Sequence, residues 1–215
     1  MYHGLPQTLR PPAAPVKREY VAFLGRISPE KRPDRAIAIA RALGIPLKIA
    51  AKVDRIDEVY FRTQIEPLLK GSGVEFIGEI NEQQKAKFLG EAQALIFPVD
   101  WPEPFGLSMI EAMACGTPVL GFRCGSVPEI VEDGITGAIV DTMEQAILAL
   151  PLVAALDRKR VRARFEQRFS ATRMAKDYVD VYRKLLAASK SADAAERAPL
   201  TPEGRDEDSR PFRIA

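Results

Sequence analysis

Short apolar runs recur along the first 140 residues, separated by stretches whose apolar positions fall three and four apart. Tyr20–Leu24, Leu47–Ala51, Val74–Ile77, Ala94–Phe97, Pro118–Phe122 and Ala138–Val140 are each too short for a helix and read as strands. Between them, Pro33–Leu43 sets Ala36, Ile37, Ile39, Ala40 and Leu43 at helical spacing, with Gly44 as the stop. Asp54–Lys70 reads as a helix closed by Gly71, and Asn81 caps another that runs to about Leu89. Gly106 opens a helix that Gly116 and Pro118 close, and a short helix over 127–132 stops at Asp133-Gly134. After Asp141 the pattern is helical throughout: Met143–Leu156, Arg158–Phe169 and Thr172–Leu186, the last carrying Met174, Tyr178, Val181 and Leu185 at helical spacing.

Short apolar strands alternating with helices predict an α/β fold: a Rossmann-like, doubly wound parallel sheet of about six strands with helices on both faces. In such a sheet ligands collect at the carboxyl ends of the strands. The unusual clusters, Gly25-Arg26, Gly78-Glu79, Asp100 to Gly106 and Arg123 to Pro128, each follow a strand, so all are expected along one rim. Outside the predicted domain, residues 19–188, lie two other stretches. Residues 1–18 carry Pro6, Pro11, Pro12 and Pro15 and read as an interdomain linker remnant. Residues 189–215 are rich in Ala, Pro and mixed charge and are expected to be a disordered tail.

Composition narrows the function classes. Hydrophobic residues make up 47% and charged ones 28%, ordinary for a globular protein with a core. A net charge of +2, with no interleaving of basic and aromatic residues, gives no reason to expect a nucleic-acid partner. No apolar run reaches the roughly 20 residues that span a bilayer, and no secretory leader is visible, so a cytoplasmic protein is expected. Cys115 and Cys124 lack metal spacing and are expected as reduced thiols. Arg160, Arg164 and Arg168 form one helical stripe; a solvated face is the simpler reading, with peripheral contact to an anionic membrane as the alternative.

The most informative stretch is Phe97 to Pro118. A buried strand, a stiff loop with Pro98, Pro102 and Pro104, and a helix opening at Gly106 together make an anion site, because the first helical N–H groups lack internal partners. Glu103 in the loop and Glu111 in the helix flank it. An anion site bordered by carboxylates suits a phosphate attached to a polyhydroxyl group. Arg26 and Lys31, at the end of the first strand, are placed to meet phosphate oxygens. His3, the one histidine, lies in the proline-rich linker and is expected to have no chemical role. Asp54-Arg-Ile-Asp57 reads as a helix cap rather than a metal site.

Glu103-Pro-Phe-Gly-Leu-Ser-Met-Ile-Glu111 resembles the Glu-x7-Glu motif of retaining glycosyltransferases of family four, which have two Rossmann-like domains in the GT-B arrangement. Gly25-Arg26-Ile-Ser-Pro-Glu-Lys31, Gly125-Ser-Val-Pro-Glu129 and Asp133-Gly-Ile-Thr-Gly137 are similar to further family elements, and His3-Gly-Leu-Pro6 to the segment joining the two domains. The resemblance implies the C-terminal, donor-binding half of such an enzyme, needing an N-terminal acceptor-binding domain and inactive by itself. It implies a nucleoside-diphosphate hexose donor, with UDP preferred to GDP or ADP, and neither metal nor other cofactor. By resemblance Arg26 and Lys31 hold the diphosphate and offset its developing charge. Glu103, with the N–H groups of Phe105, Gly106 and Leu107, orients the sugar. Glu111 takes the ribose diol, while Gly25 and Gly78 lend backbone. The cleft face, normally covered by the other domain, is a candidate for self-association. A nucleotide-binding regulatory or interaction module without transfer chemistry is the alternative.

Overall fold

The computed structural model describes residues 1–196 apart from positions 7 and 72, and side chains as far as 189. The described chain divides into a compact unit of residues 1–176 and a second that begins at Asp177. In the first, six strands form one parallel sheet: β1 (Tyr20–Arg26), β2 (Leu47–Lys52), β3 (Val74–Gly78), β4 (Ala92–Phe97), β5 (Val119–Phe122) and β6 (Gly137–Val140). Their order across the sheet is β3-β2-β1-β4-β5-β6. The winding therefore reverses between β1 and β4, where diverging connections leave a crevice at the carboxyl ends.

Period-two alternation assigns each strand residue to one face. Tyr20, Ala22, Leu95, Phe97 and Val119 join one core layer, and Val21, Phe23, Ala94, Ile96 and Leu120 the other. The second layer is closed by α1 (Pro33–Leu43), which contributes Ala36, Ile37, Ile39 and Ala40. A broken helical run follows β2: a 3-10 turn at Arg55–Asp57, then α2 (Glu58–Tyr60), a π turn at Phe61–Ile65 and α3 (Glu66–Leu69). The single helix expected over 54–70 is thus corrected. Pro67 has no N–H to give to a carbonyl a turn earlier, so the hydrogen-bond register loosens just ahead of it. Nor does Asp54 cap that run with its side chain; its carboxylate turns to Lys52 at 2.8 Å and Arg26 at 3.5 Å.

The first layer holds α4 (Glu82–Gly90), α5 (Leu107–Ala114), the short α6 (Val127–Ile130) and, further along, α8 (Arg158–Phe169). Asn81 and Gln84 form a reciprocal capping box at the start of α4. Between α6 and α8, α7 (Met143–Ala154) returns to the second layer. Residues 1–18 do not stand clear of the domain: Leu9 is buried, and Leu5 bridges to Ser170. The last helix, α9 (Ala171–Glu196), carries on beyond 188, because its Ala-rich continuation favours helix. The expected disordered tail is therefore helical over 189–196, and its remainder lies outside the described residues.

Candidate active site

A cleft of about 620 Å3 opens at the carboxyl ends of β1, β2 and β4. Gly25, Arg26, Lys31, Glu103, Gly106, Leu107 and Glu111 line it, so seven of the nine residues singled out from the sequence meet there. Gly78 and Phe105 do not line it. Gly78 ends the edge strand β3, and the chain enters the cleft one residue later, at Glu79. The Phe105 ring turns away to pack on His3, Tyr2 and Phe169, with centroids at 4.7, 6.3 and 6.2 Å. His3 thus serves packing.

The Lys31 and Glu103 loops are tied together before any ligand arrives. Asp100 donates its N–H to the Glu30 carbonyl at 2.9 Å, and its carboxylate accepts from Arg32 and Arg35 at 2.8 and 2.9 Å. Arg32 adopts a left-handed backbone (φ 51°) to turn the chain from the Lys31 loop into α1, a conformation that costs roughly 1 kcal/mol in a non-glycine residue. Beyond this brace the Lys31 ammonium pairs with Glu103 Oε2 and lies 5.3 Å from the Trp101 ring centre. The Trp101 indole N–H donates to the same oxygen at 2.8 Å. Glu103 therefore has one oxygen held by two donors and Oε1 without a protein donor among the described contacts.

The backbone of Glu103 is fixed from the far side. Its carbonyl accepts from the Ser126 N–H at 2.9 Å, and Gly125 (φ 53°) comes so close that a Cβ there would sit 2.3 Å from the Glu103 nitrogen. This contact brings the 125–129 loop against Glu103, although Glu129 itself stays on the surface. Gly106 (φ 75°) then turns the chain into α5, whose first residues, Leu107 and Ser108, line the cleft.

Glu111 sits one helical stretch further on, only 9% exposed. Its Oε1 accepts from the Lys85 ammonium of α4 at 2.8 Å. Burial alone would lower the pKa of Lys85, but its hydrogen bonds to Glu111 and Glu82, with their charges, outweigh this and hold it above the ordinary lysine value. The lysine is fully protonated at neutral pH. Arg26 is looser, 3.4 Å from Glu30 and 3.5 Å from Asp54. Lys52, also lining the cleft, pairs with Asp54 at 2.8 Å. Each of the four cleft cations, Arg26, Lys31, Lys52 and Lys85, thus arrives with a carboxylate already attached.

Known proteins share this fold. By sequence, residues 7–171 match the model of the glycosyl transferases group 1. The chain belongs to that family. It is 33% identical over 172 residues to D-inositol 3-phosphate glycosyltransferase of Mycobacterium bovis, a match covering 74% of this chain and 35% of that protein. The chain thus spans about a third of the length of the curated relatives it matches. Among solved structures it superposes on AviGT4, a glycosyltransferase involved in avilamycin A biosynthesis, with a TM-score of 0.68 and 30% identity, over 80% of this chain and 52% of that one. It also superposes on Anabaena HepE in complex with UDP and glucose, with a TM-score of 0.69 and 20% identity, over 78% of this chain and 49% of that one. The domain therefore has the Rossmann-like fold of GT-B glycosyltransferases.

The glycosyl transferases group 1 domain brings Glu79, expected at the rim, into the cleft, and adds residues that sequence reading passed over as site residues: Lys52, Asn81, Glu82, Lys85 and Ser108. Asn81 signalled itself only as a helix cap. Lys85 gave no signal, since a lysine one turn into a polar helix is commonplace. Arg164 and Arg168, two members of the basic stripe, are bound to Glu132, by a short contact and at 2.6 Å respectively. Their charges are committed within the fold. No helix among the described residues is long and apolar enough to cross a membrane, and none of their His, Cys, Asp and Glu side chains cluster as a metal site. Burial pushes the Cys115 thiol up to about 12, so it is protonated and inert.

Proposed function

We propose that this domain binds the donor of a retaining hexosyltransferase that moves a hexosyl group from a nucleoside-diphosphate sugar to an acceptor hydroxyl. One observation carries the reading. At the switch point of the sheet, two carboxylates flank the start of α5, Glu103 with a free oxygen and Glu111 deeper in the same cleft, with Arg26 and Lys31 opposite. Arg26, Lys31 and the α5 N-terminus suit the diphosphate, where the C–O bond to the anomeric carbon breaks and charge develops on the departing oxygen. Glu103 suits a sugar hydroxyl and Glu111 the ribose diol. The backbone near Phe105, Gly106 and Leu107 adds donors, and Gly78 stands at the strand end before the base side of the cleft. HepE, which shares the fold, holds UDP, and this supports UDP over GDP or ADP as the nucleotide. No step in this reading requires a metal.

A second, acceptor-binding domain would close the cleft. The chain by itself is then a weak nucleotide binder without transfer activity. Titration of UDP, GDP and ADP, followed by chemical-shift changes, tests the reading. UDP should bind tightest, and Glu111→Ala should weaken it roughly tenfold, the loss of hydrogen bonds to a charged group. Absence of binding by all three nucleotides, or equal binding by the variant, would overturn the reading. Sugar transfer by the purified chain would show that no second domain is needed.

A further inference from the structure

Lys85 is a cleft cation that takes no part in the Lys31–Glu103 pair, and it belongs to a different element. It projects from the first turns of α4, which the Asn81–Gln84 capping box fixes at its start. Its side chain is only 18% exposed, and what remains accessible faces the cleft it lines. An ammonium has three N–H donors. One goes to Glu111 Oε1 at 2.8 Å and one to Glu82 Oε1 at 2.5 Å, leaving the third for a ligand.

A hydroxyl group both donates and accepts, so a carboxylate alone satisfies half of it. A carboxylate and an ammonium in contact offer both halves at a single point. Glu111 and Lys85 are such a pair, buried enough that water competes poorly and held above the ordinary lysine range so that the positive charge persists. We infer that Lys85 is a specificity-determining residue, which with Glu111 reads a ribose hydroxyl of the donor nucleotide: the hydroxyl donates to the carboxylate and accepts from the ammonium. The inference rests on the donor-site reading above. It adds that ribose is distinguished from deoxyribose by the pair and not by the carboxylate alone. Glu82 also accepts from the ammonium, at 2.5 Å, and gives the lysine a second anchor.

The full chain, titrated with UDP and with 2′-deoxy- and 3′-deoxy-UDP, tests this in wild type, Lys85→Met, Lys85→Arg and Glu111→Gln. Wild type should prefer UDP over at least one deoxy analogue by roughly tenfold, as expected for one charge-assisted hydrogen bond. Lys85→Met should bind UDP as weakly as that analogue, erasing the preference, while Lys85→Arg should restore part of it. Thermal melts of each variant establish that the fold is retained. If Lys85→Met keeps the wild-type ratio, or if arginine restores none of it while Glu111→Gln abolishes it, the role assigned to Lys85 is wrong and the donor site stands. If wild type binds no uridine nucleotide, both fall.

Discussion

Glu103 and Glu111 lie eight positions apart on one stretch of chain, yet their positions have different physical origins. Glu111 is a residue of a regular helix whose neighbours Met109, Ile110, Ala112 and Met113 are fully buried. Core packing sets its place, and no single polar contact decides it. Glu103 lies in a loop and depends on directional contacts: the close approach of Gly125, the Ser126 N–H, the Asp100 brace and the Trp101 indole. In turn it is the shared acceptor for Lys31 and Trp101, whereas Lys85 has Glu82 besides Glu111. One carboxylate is organised by the fold, and the other organises what surrounds it. A site built this way combines a point held by core packing in the helix with a point held by polar contacts in the loop.

Substitutions should separate the two in a definite order. The largest effect is expected from Gly125→Ala, where a Cβ 2.3 Å from one backbone atom and 2.5 Å from another must displace the Glu103 loop. A cost of about 3 kcal/mol, from overpacking and left-handed strain, should appear in urea unfolding. A cost within about 0.5 kcal/mol would show that the loop yields freely and would erase the contrast. Next, Glu103→Ala should cost about 2 kcal/mol by stripping two donors of their acceptor, and Glu111→Ala only about 1 kcal/mol because Lys85 keeps a partner. Equal or reversed urea midpoints would refute the idea that the loop carboxylate is the hub. Trp101→Phe, which removes one indole hydrogen bond, should cost about 1 kcal/mol.

The smallest effect concerns pH. Lys85 is held above its ordinary value of 10.5, so its ion pair contributes fully below that value and is lost as pH rises through the folded-state value. The stability difference between wild type and Lys85→Met, at most about 1 kcal/mol, should therefore be constant from pH 7 to 10 and shrink above it. A difference that instead changed between pH 7 and 10 would assign it to another titrating group.

The sequence made the sheet readable because burial on both faces leaves continuous apolar runs, and the turns to helices carry Gly, Pro and Asn. It made the rim readable because Gly25-Arg26, Lys31 and the Glu103–Glu111 stretch each follow a strand end. It failed where one residue depends on a distant partner. The value of Lys85 lies in Glu111, 26 positions on, and no local pattern records that. Phe105 sits in the motif beside Gly106, but whether its ring faces the cleft depends on Tyr2, His3 and Phe169 from both ends of the domain. The π turn at Phe61–Ile65 was hidden because the apolar period continues through it.

If the cleft takes a nucleoside diphosphate as proposed, the pre-paired cations bear on its release. Such a diphosphate would not meet bare positive charge; it would share Lys31 with Glu103, or take it, and likewise Arg26 with Glu30 and Asp54. Every phosphate–cation pair formed in this way would loosen a carboxylate, so the cleft would behave as an ion exchanger. Binding of this kind is shallow and weakly dependent on ionic strength, because little net charge is neutralised. It also returns readily to its starting state: the carboxylates that yield to the phosphates remain beside them, ready to reclaim the cations as the spent nucleotide departs.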